Sequence, residues 1–382
     1  MNILFLNVES ANPIRGGIQC VSYYLYKYFK SRGHKVTMLA WYRVVDNVAE
    51  DFVYMPDSSE ILSESNKLFL TNLLQEYSID IVFNHTCLSL QYSPVLKFIH
   101  NSGTKIVSIF HSSPFGVYGY NKYKWLRDLK NISLRNFFDL MIRYAFLLKY
   151  RKQFRMQATF TDRMVTLSDK FIPEYLFFAG KQFQDKMTAI PNPVTADDLT
   201  RTVKENILLF VGRLSSEKGL PHLLNIWAKL ESDFPDWKLQ ILGDGAEKAF
   251  VESSIKELNL KRCEVLGFQK AEPYYNKAKI FCMTSLYEGF GLVLVEAMKY
   301  GTVPFAFKSY PNVVDIINDG KDGVLVTPFD VEEYASKLRE LMTNPDKLQV
   351  LSKQAEMKSR EFSIEKIGLR WEVLFKKTIT EV

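Results

Sequence analysis

The sequence predicts an α/β protein of two tandem domains, each a parallel sheet with helices on its faces. Three observations carry that expectation. Short apolar runs alternate with helical patterns from end to end. The alternation starts afresh after a proline-marked segment, Ile190-Pro191-Asn192-Pro193-Val194. The chain of 382 residues also exceeds what one core organises, at roughly 100–200 residues per domain.

In chain order, Ile3–Val8 reads as a strand and Ile18–Phe29 as a helix that stops near Gly33. Val36–Ala40, Ile81–Asn84, Ile106–Phe110 and Met164–Leu167 follow as strands. The second series has strands at Ile207–Val211, Leu239–Leu242, Glu264–Leu266, Ile280–Met283, Val303–Phe305 and Val324–Val326. Leu220–Leu230, Glu247–Leu258 and Leu292–Tyr300 read as helices between them. From about Val331 onward only helices remain. The domains are therefore expected at 1–193 and 194–363, with a last helix (about 364–382, including Trp371) returning to the first.

Composition excludes a disordered, collagenous or low-complexity chain: 47% apolar, 24% charged, 18 Gly and 14 Pro. Cys20, Cys87, Cys263 and Cys282 lack metal or disulfide-scaffold spacing and read as buried thiols of a reducing compartment. The opening MNILFLNVES has no basic segment before its apolar run, so no signal peptide is expected. Phe137–Leu148 is the most apolar long stretch, but Asp139 and Arg143 interrupt it, so no transmembrane helix is expected. The expected location is cytoplasmic, with peripheral attachment to the inner face of the plasma membrane.

That attachment rests on one segment. Between Lys122 and Arg155 ten basic residues face two acids, a local excess of +8 against +6 for the whole chain. Tyr123, Trp125, Phe137, Phe138, Met141, Phe146 and Leu147 interleave with the charges, a composition suited to an anionic membrane surface. The bland alternative is a solvated helix pair whose apolar side is core. A nucleic-acid partner is not expected, because the region carries no recognised fold signature.

Ligands of open α/β sheets bind at the carboxyl ends of strands. After the first strand comes Arg15-Gly16-Gly17, ahead of a helix, where bare backbone and helix N–H groups suit an anion. It is not the dinucleotide G-x-G-x-x-G. His111 follows the strand Ile106–Phe110, placed to donate a hydrogen bond or act as acid and base, or else simply a satisfied structural histidine. Gly212-Arg213-Leu214-Ser215-Ser216-Glu217-Lys218-Gly219 puts a forked guanidinium and a point-charge ammonium on one loop, a pair suited to a diphosphate. Its plain alternative is a salt bridge with Glu217, or surface solvation. Past Ile280–Met283, Glu288-Gly289-Phe290-Gly291-Leu292 leads into a helix that carries Glu296. Bare peptide at a helix start makes an anion pocket, and a carboxylate one turn further on suits a ribose diol.

Taken in order, Gly16-Gly17, His111, Asn192-Pro193-Val194, Gly212-Arg213-Leu214, Glu217-Lys218-Gly219, Gly243-Asp244-Gly245, Glu288…Glu296 and Asp319-Gly320-x-x-Gly323 resemble the retaining GT-B glycosyltransferases of the GT4 type, the glycosyl transferases group 1. The resemblance runs over almost the whole chain. It implies two Rossmann-like domains with a cleft between them, the first on the acceptor side and the second binding the nucleotide sugar. It also implies residue roles. Arg213 and Lys218, with the backbone of Gly212, hold the donor diphosphate, and the amides of Gly289, Phe290, Gly291 and Leu292 complete the cradle. Glu296 takes the ribose, Glu288 the transferred sugar, and His111 reaches that sugar from the first domain. Gly16 and Gly17 close over the phosphates. Where many relatives have a Gly-rich segment, this chain reads Lys308-Ser309-Tyr310-Pro311-Asn312, and Tyr310 is the candidate substitute.

The implied reaction moves a hexose or N-acetylhexosamine, UDP-linked, to a glycan or lipid-linked saccharide in surface polysaccharide synthesis, with retention. Negative charge develops on the leaving diphosphate, and fixed cations and amides stabilise it. No D-x-D occurs and no His/Asp cluster has ligand spacing, so no metal and no cofactor are expected beyond the nucleotide-sugar co-substrate. The alternatives on the same architecture are a nucleotide-sugar epimerase or hydrolase, which would turn over donor without acceptor, and a non-enzymatic two-domain ligand-binding protein.

Overall fold

The computed structural model describes residues 1–11, 17–43, 51–117, 132–195 and 202–381. The chain divides into two compact units, residues 1–195 with 364–382, and residues 196–363. Gly16 and the part of the basic segment before Ile132 lie outside the described residues.

The first unit holds seven parallel strands: β1 (Asn2–Glu9), β2 (Lys35–Tyr42), β3 (Phe52–Tyr54), β4 (Ile81–Asn84), β5 (Lys105–Phe110), β6 (Arg163–Thr166) and β7 (Met187–Ala189). Their order across the sheet is β3-β2-β1-β4-β5-β6-β7. Sequence patterning located five of these strands and missed β3 and β7, the two edges. Both lack a buried apolar run: β3 is half-buried throughout and β7 reads Met-Thr-Ala, whereas the equally short Val324–Val326 is fully buried and apolar.

Strand β1 is buried throughout Ile3–Leu6, because helices cover both faces of a parallel sheet. Alternation along it separates two cores. Leu4 and Leu6 join Trp41, Leu70, Val82 and Leu96 on one face. Phe5 turns to the other, meeting Phe29 at 6.1 Å and Phe83 at 5.0 Å between ring centroids. The last helix, Ile364–Thr380, closes that second face. Trp371 lies 4.5 Å from Phe83, and Gly368 sits where any side chain would strike the Tyr28 ring. Glu372 of this helix, only 4% exposed, takes the Arg32 guanidinium at 3.2 Å.

The second unit holds six parallel strands: β8 (Glu205–Val211), β9 (Lys238–Leu242), β10 (Cys263–Gly267), β11 (Ala278–Met283), β12 (Val303–Phe307) and β13 (Val324–Val326), in the order β10-β9-β8-β11-β12-β13. All six were legible in the sequence. One apolar core built on Trp227, Leu239, Ile280, Phe305 and Tyr334 runs under the sheet.

Both sheets therefore start in the middle, build outward to one edge, then cross back and build to the other. The crossover falls between β1 and β4 in the first unit and between β8 and β11 in the second. Strand-end loops diverge at such a point and leave a crevice. None of the four cysteines forms a disulfide; Cys20, Cys87 and Cys282 are buried, whereas Cys263 at an edge strand is only half-buried.

Candidate active site

In the second unit the predicted residues come from the two loops that flank the crossover. Strand β8 delivers Gly212 and Arg213, and a single short turn, Ser216–Lys218, then presents Lys218. Strand β11 delivers Thr284 to Gly291, after which the helix Leu292–Lys299 begins.

The loops are tied to each other by backbone. Leu286 N–H donates to the Glu217 carbonyl at 2.7 Å, and Thr284 Oγ1 donates to the Lys218 carbonyl at 3.0 Å. Gly219, with φ +63°, lets the two chains approach this closely, since a Cβ there would stand 2.1 Å from the Thr284 carbonyl oxygen. Gly212 lies beside Lys218, whose Cε would be 3.6 Å from a Cβ at position 212.

Lys218 Nζ donates to Glu288 Oε1 at 2.6 Å, with both side chains less than one-fifth exposed. Ser285 Oγ donates to the same oxygen at 2.7 Å. The alternative of a Lys218–Glu217 bridge is not what forms: the Glu217 carboxylate accepts from Ser215 Oγ at 2.6 Å instead. Arg213 is exposed at the mouth of the loop. The site thus gathers one cation inside the crevice, one on its rim, and a carboxylate held between an ammonium and a hydroxyl.

The helix start is buttressed from below. Phe290 is 4% exposed and packs against Phe362 at 5.9 Å, so it serves as an anchor and offers only its backbone. Asn312 Nδ2 donates to the Phe290 carbonyl at 3.3 Å. Tyr310, the candidate substitute for a Gly-rich segment, is 5% exposed and buried beneath Gly291, with its hydroxyl 3.5 Å from Met283 Sδ. It packs the floor and does not reach the crevice. Glu296, one turn into the helix, accepts from the Tyr275 hydroxyl at 3.1 Å, which orients the carboxylate. Burial raises that phenol well above its ordinary range, so it stays a donor.

His111 and Gly17 belong to the first unit. Gly17 opens the helix Gly17–Ser31. His111 directly follows β5 and is 6% exposed; its Nε2 stands 2.9 Å from Nδ1 of His85, which directly follows β4. Burial pulls His111 down to about 3 and His85 well below its usual value, so both rings are neutral. Sequence reading missed His85, although the strand-end rule that selects His111 selects it equally: it follows Ile81–Asn84 directly. Ser285 was also missed; nothing in sequence says that a serine three residues before Glu288 will turn back onto its carboxylate.

Residues 195–358 match the family described as glycosyl transferases group 1. The second unit is a group 1 glycosyl transferase domain. Within it, Arg213, Lys218, Glu288 and Glu296 all fall inside the matched residues. An uncharacterized glycosyltransferase of Haemophilus influenzae is 31% identical over 225 residues, covering 56% of this chain and 62% of that protein. The amylovoran biosynthesis glycosyltransferase AmsD of Erwinia amylovora is 33% identical over 170 residues, 44% of this chain and 47% of the relative. The chain thus spans less than two-thirds of the length of these relatives.

Among solved structures, HepE of Anabaena in complex with UDP superposes with a TM-score of 0.73 at 16% identity, covering 99% of this chain and all of the other. The pneumococcal O-GlcNAc transferase GtfA, in complex with UDP and GlcNAc, gives 0.76 at 13% identity, with 100% and 99% covered. The fold is GT-B, with two Rossmann-like domains, and the group 1 match lies in the second of them.

Proposed function

We propose that the protein is a retaining glycosyltransferase that moves a hexose or N-acetylhexosamine from a UDP-sugar to a saccharide or lipid-linked acceptor in surface polysaccharide synthesis. The observation that carries this reading is the Lys218–Glu288 pair set against the Gly289–Gly291 helix start, with Arg213 on the rim. An arriving diphosphate meets an ammonium held by Glu288, a guanidinium on the rim and the peptide N–H groups of the helix start. As the glycosidic bond breaks, negative charge grows on the diphosphate, where these groups stabilise it without reorganising. Arg213 and Lys218 take the place a metal ion would otherwise fill. Glu288, freed from part of its ion pair, turns to the hydroxyls of the transferred sugar, and Glu296 takes the ribose. The solved relatives named above carry UDP, which is consistent with a uridine donor.

The test is a thermal-shift panel of UDP-, GDP- and ADP-sugars, followed by product analysis with the donor that stabilises most. UDP-sugars are expected to raise Tm and to give a product that keeps the donor's anomeric configuration. Stabilisation by none of the panel, or hydrolysis that ignores every acceptor, would sink the reading.

The lipid side of the acceptor is supported by the helix Ile132–Thr159, which covers the later part of the basic segment. Phe137, Leu140, Met141, Tyr144 and Leu148 are each more than half exposed, in a stripe at helical spacing. Lys149, Arg151 and Lys152 follow, all exposed. A stripe of this kind lies in a membrane interface, its bases beside anionic headgroups. Among the described residues no helix is long and apolar enough to cross a bilayer. Co-sedimentation with phosphatidylglycerol vesicles is expected to fall about tenfold or more in the triple variant Lys149→Gln, Arg151→Gln, Lys152→Gln, at about 1 kcal/mol per basic residue. Equal binding of variant and parent would show that the helix is an inert face.

A further inference from the structure

The loop that follows β5 is gripped from both sides, because sheet order places β5 between β4 and β6. From the β4 side His85 meets His111 at 2.9 Å. From the β6 side the helix Ile172–Ala179 brings Glu174, its one charged residue. Glu174 Oε2 accepts from Ser113 Oγ at 2.5 Å and from the Phe115 N–H at 3.3 Å. The Gly116 N–H donates to Ser113 Oγ at 3.1 Å. A carboxylate only accepts, so the single Ser113 proton lies toward Glu174 and Gly116 fills a lone pair of the hydroxyl. The two amides belong to the first turn of the short helix Pro114–Val117, whose opening N–H groups have no partner within it.

A cap for that turn needs no more than the Ser113 hydroxyl. The carboxylate is supplied from sixty-one residues further along the chain, and withdrawing it from water carries a cost that a cap does not require. Its surroundings are apolar: Phe115 lies 5.3 Å from Phe177 and 5.2 Å from Phe178 between ring centroids. Burial raises the Glu174 carboxyl above the ordinary carboxylate range, against the bonds from Ser113 and Phe115 and the charge of Arg143, which pull it down. Arg143 comes from the helix Ile132–Thr159, stands over the Phe115 ring at 5.0 Å and is paired with Asp139 at 2.7 Å. Asp169, Lys170 and Lys181, beyond the two ends of the Glu174 helix, are exposed, and Arg155 donates to the Ala179 carbonyl at 3.1 Å.

We propose that Glu174 is a positioning residue for His111: through Ser113 its carboxylate holds the strand-end loop that presents the histidine. The inference rests on the glycosyltransferase reading above, in which His111 reaches the transferred sugar. Hydrogen bonds to an ionised acceptor are roughly twice as strong as those to a neutral one. The loop is therefore held firmly while Glu174 is charged and loosely once it is protonated. Because burial raises the carboxyl, this change falls at higher pH than for an exposed glutamate. Transfer is full above it and declines as pH falls through it.

The test measures kcat, KM, UDP affinity and Tm on the full chain from mildly acidic to neutral pH. Glu174→Gln keeps an acceptor oxygen but carries no charge at any pH. It is expected to lower kcat about three- to tenfold at neutral pH, the share that charge adds to the hydrogen bonds, with UDP affinity unchanged. It should also lose the acid limb of kcat that the parent shows. Ser113→Ala is expected to lower kcat similarly, and Ser113→Thr, which keeps the hydroxyl, to restore it. In a His111→Asn background Glu174→Gln should cause no further loss, since it acts through that ring; Ser113→Ala carries the same cycle if Glu174→Gln fails to fold. Equal losses in the two backgrounds, an acid limb unmoved in Glu174→Gln, or parent-like turnover in His111→Asn would each overturn the proposal. A parent that transfers sugar while the cycle is additive overturns this inference alone, whereas a parent that binds no UDP and transfers no sugar removes the glycosyltransferase reading and this inference with it.

Discussion

Lys218→Ala is expected to lower kcat/KM for sugar transfer about 10²–10³-fold, the usual loss when one preorganised group is removed from a developing oxyanion. The ammonium sits in the crevice, at 18% exposure, not on the open surface, so water does not replace it well. The fold should survive. Glu288 keeps its hydrogen bond from Ser285 at 2.7 Å and is not left as a bare buried charge. The stability cost is therefore about 1 kcal/mol. Glu288→Ala should also impair transfer, but through the sugar and not the diphosphate, so UDP affinity should fall for the lysine variant and hold for the glutamate variant. Transfer rates and UDP titrations on both decide the matter. Parent-like turnover in both would remove the site assignment.

Gly219→Ala is expected to cost about 3–5 kcal/mol, the range of a buried backbone clash added to a left-handed residue. The added Cβ would meet the Thr284 carbonyl oxygen at 2.1 Å, so the β8 and β11 loops must part. Their separation breaks the Thr284–Lys218 bond, and activity falls with stability. Gly320→Ala is the control in the same unit. It has the same left-handed backbone, at φ +72°, but nothing within 4 Å of its Cβ, so only the dihedral term of about 1–2 kcal/mol applies. In thermal denaturation the first variant should melt about 10 °C below the parent and the second no more than about 5 °C below it. Equal melting of the two would mean that the close approach at Gly219 is not what holds the loops together.

The sheets were legible because buried parallel strands are near-continuous apolar runs, and β8, β11, β12 and β13 of the second unit announced themselves this way, while β10 at its edge is only partly buried. The edges β3 and β7 did not, since they are only partly buried, whereas β13, equally short, is a buried Val-Leu-Val. Arg213, Lys218 and Glu288 were selected by a second rule, that chemistry sits just past strand ends, and Glu296 by its place one turn into the helix that follows. What Lys218 holds was not legible. Glu217 is its neighbour in sequence, yet the turn sends that carboxylate to Ser215 and brings Glu288 across from seventy residues away. Tyr310, the expected substitute for a ligand-facing Gly-rich segment, turns inward to pack, and the ring of Phe290, expected to offer only its amide, packs inward as well.

Local pattern was enough for every strand but β3 and β7, for the two-series rhythm and for the motif residues, because apolar periodicity and strand-end position are properties of a few adjacent residues. Which partners those residues take, and the meeting of His85 with His111, depended on strand order. Neighbours across a parallel sheet are set by crossover connections, and no short stretch of chain records which strand its own will lie beside.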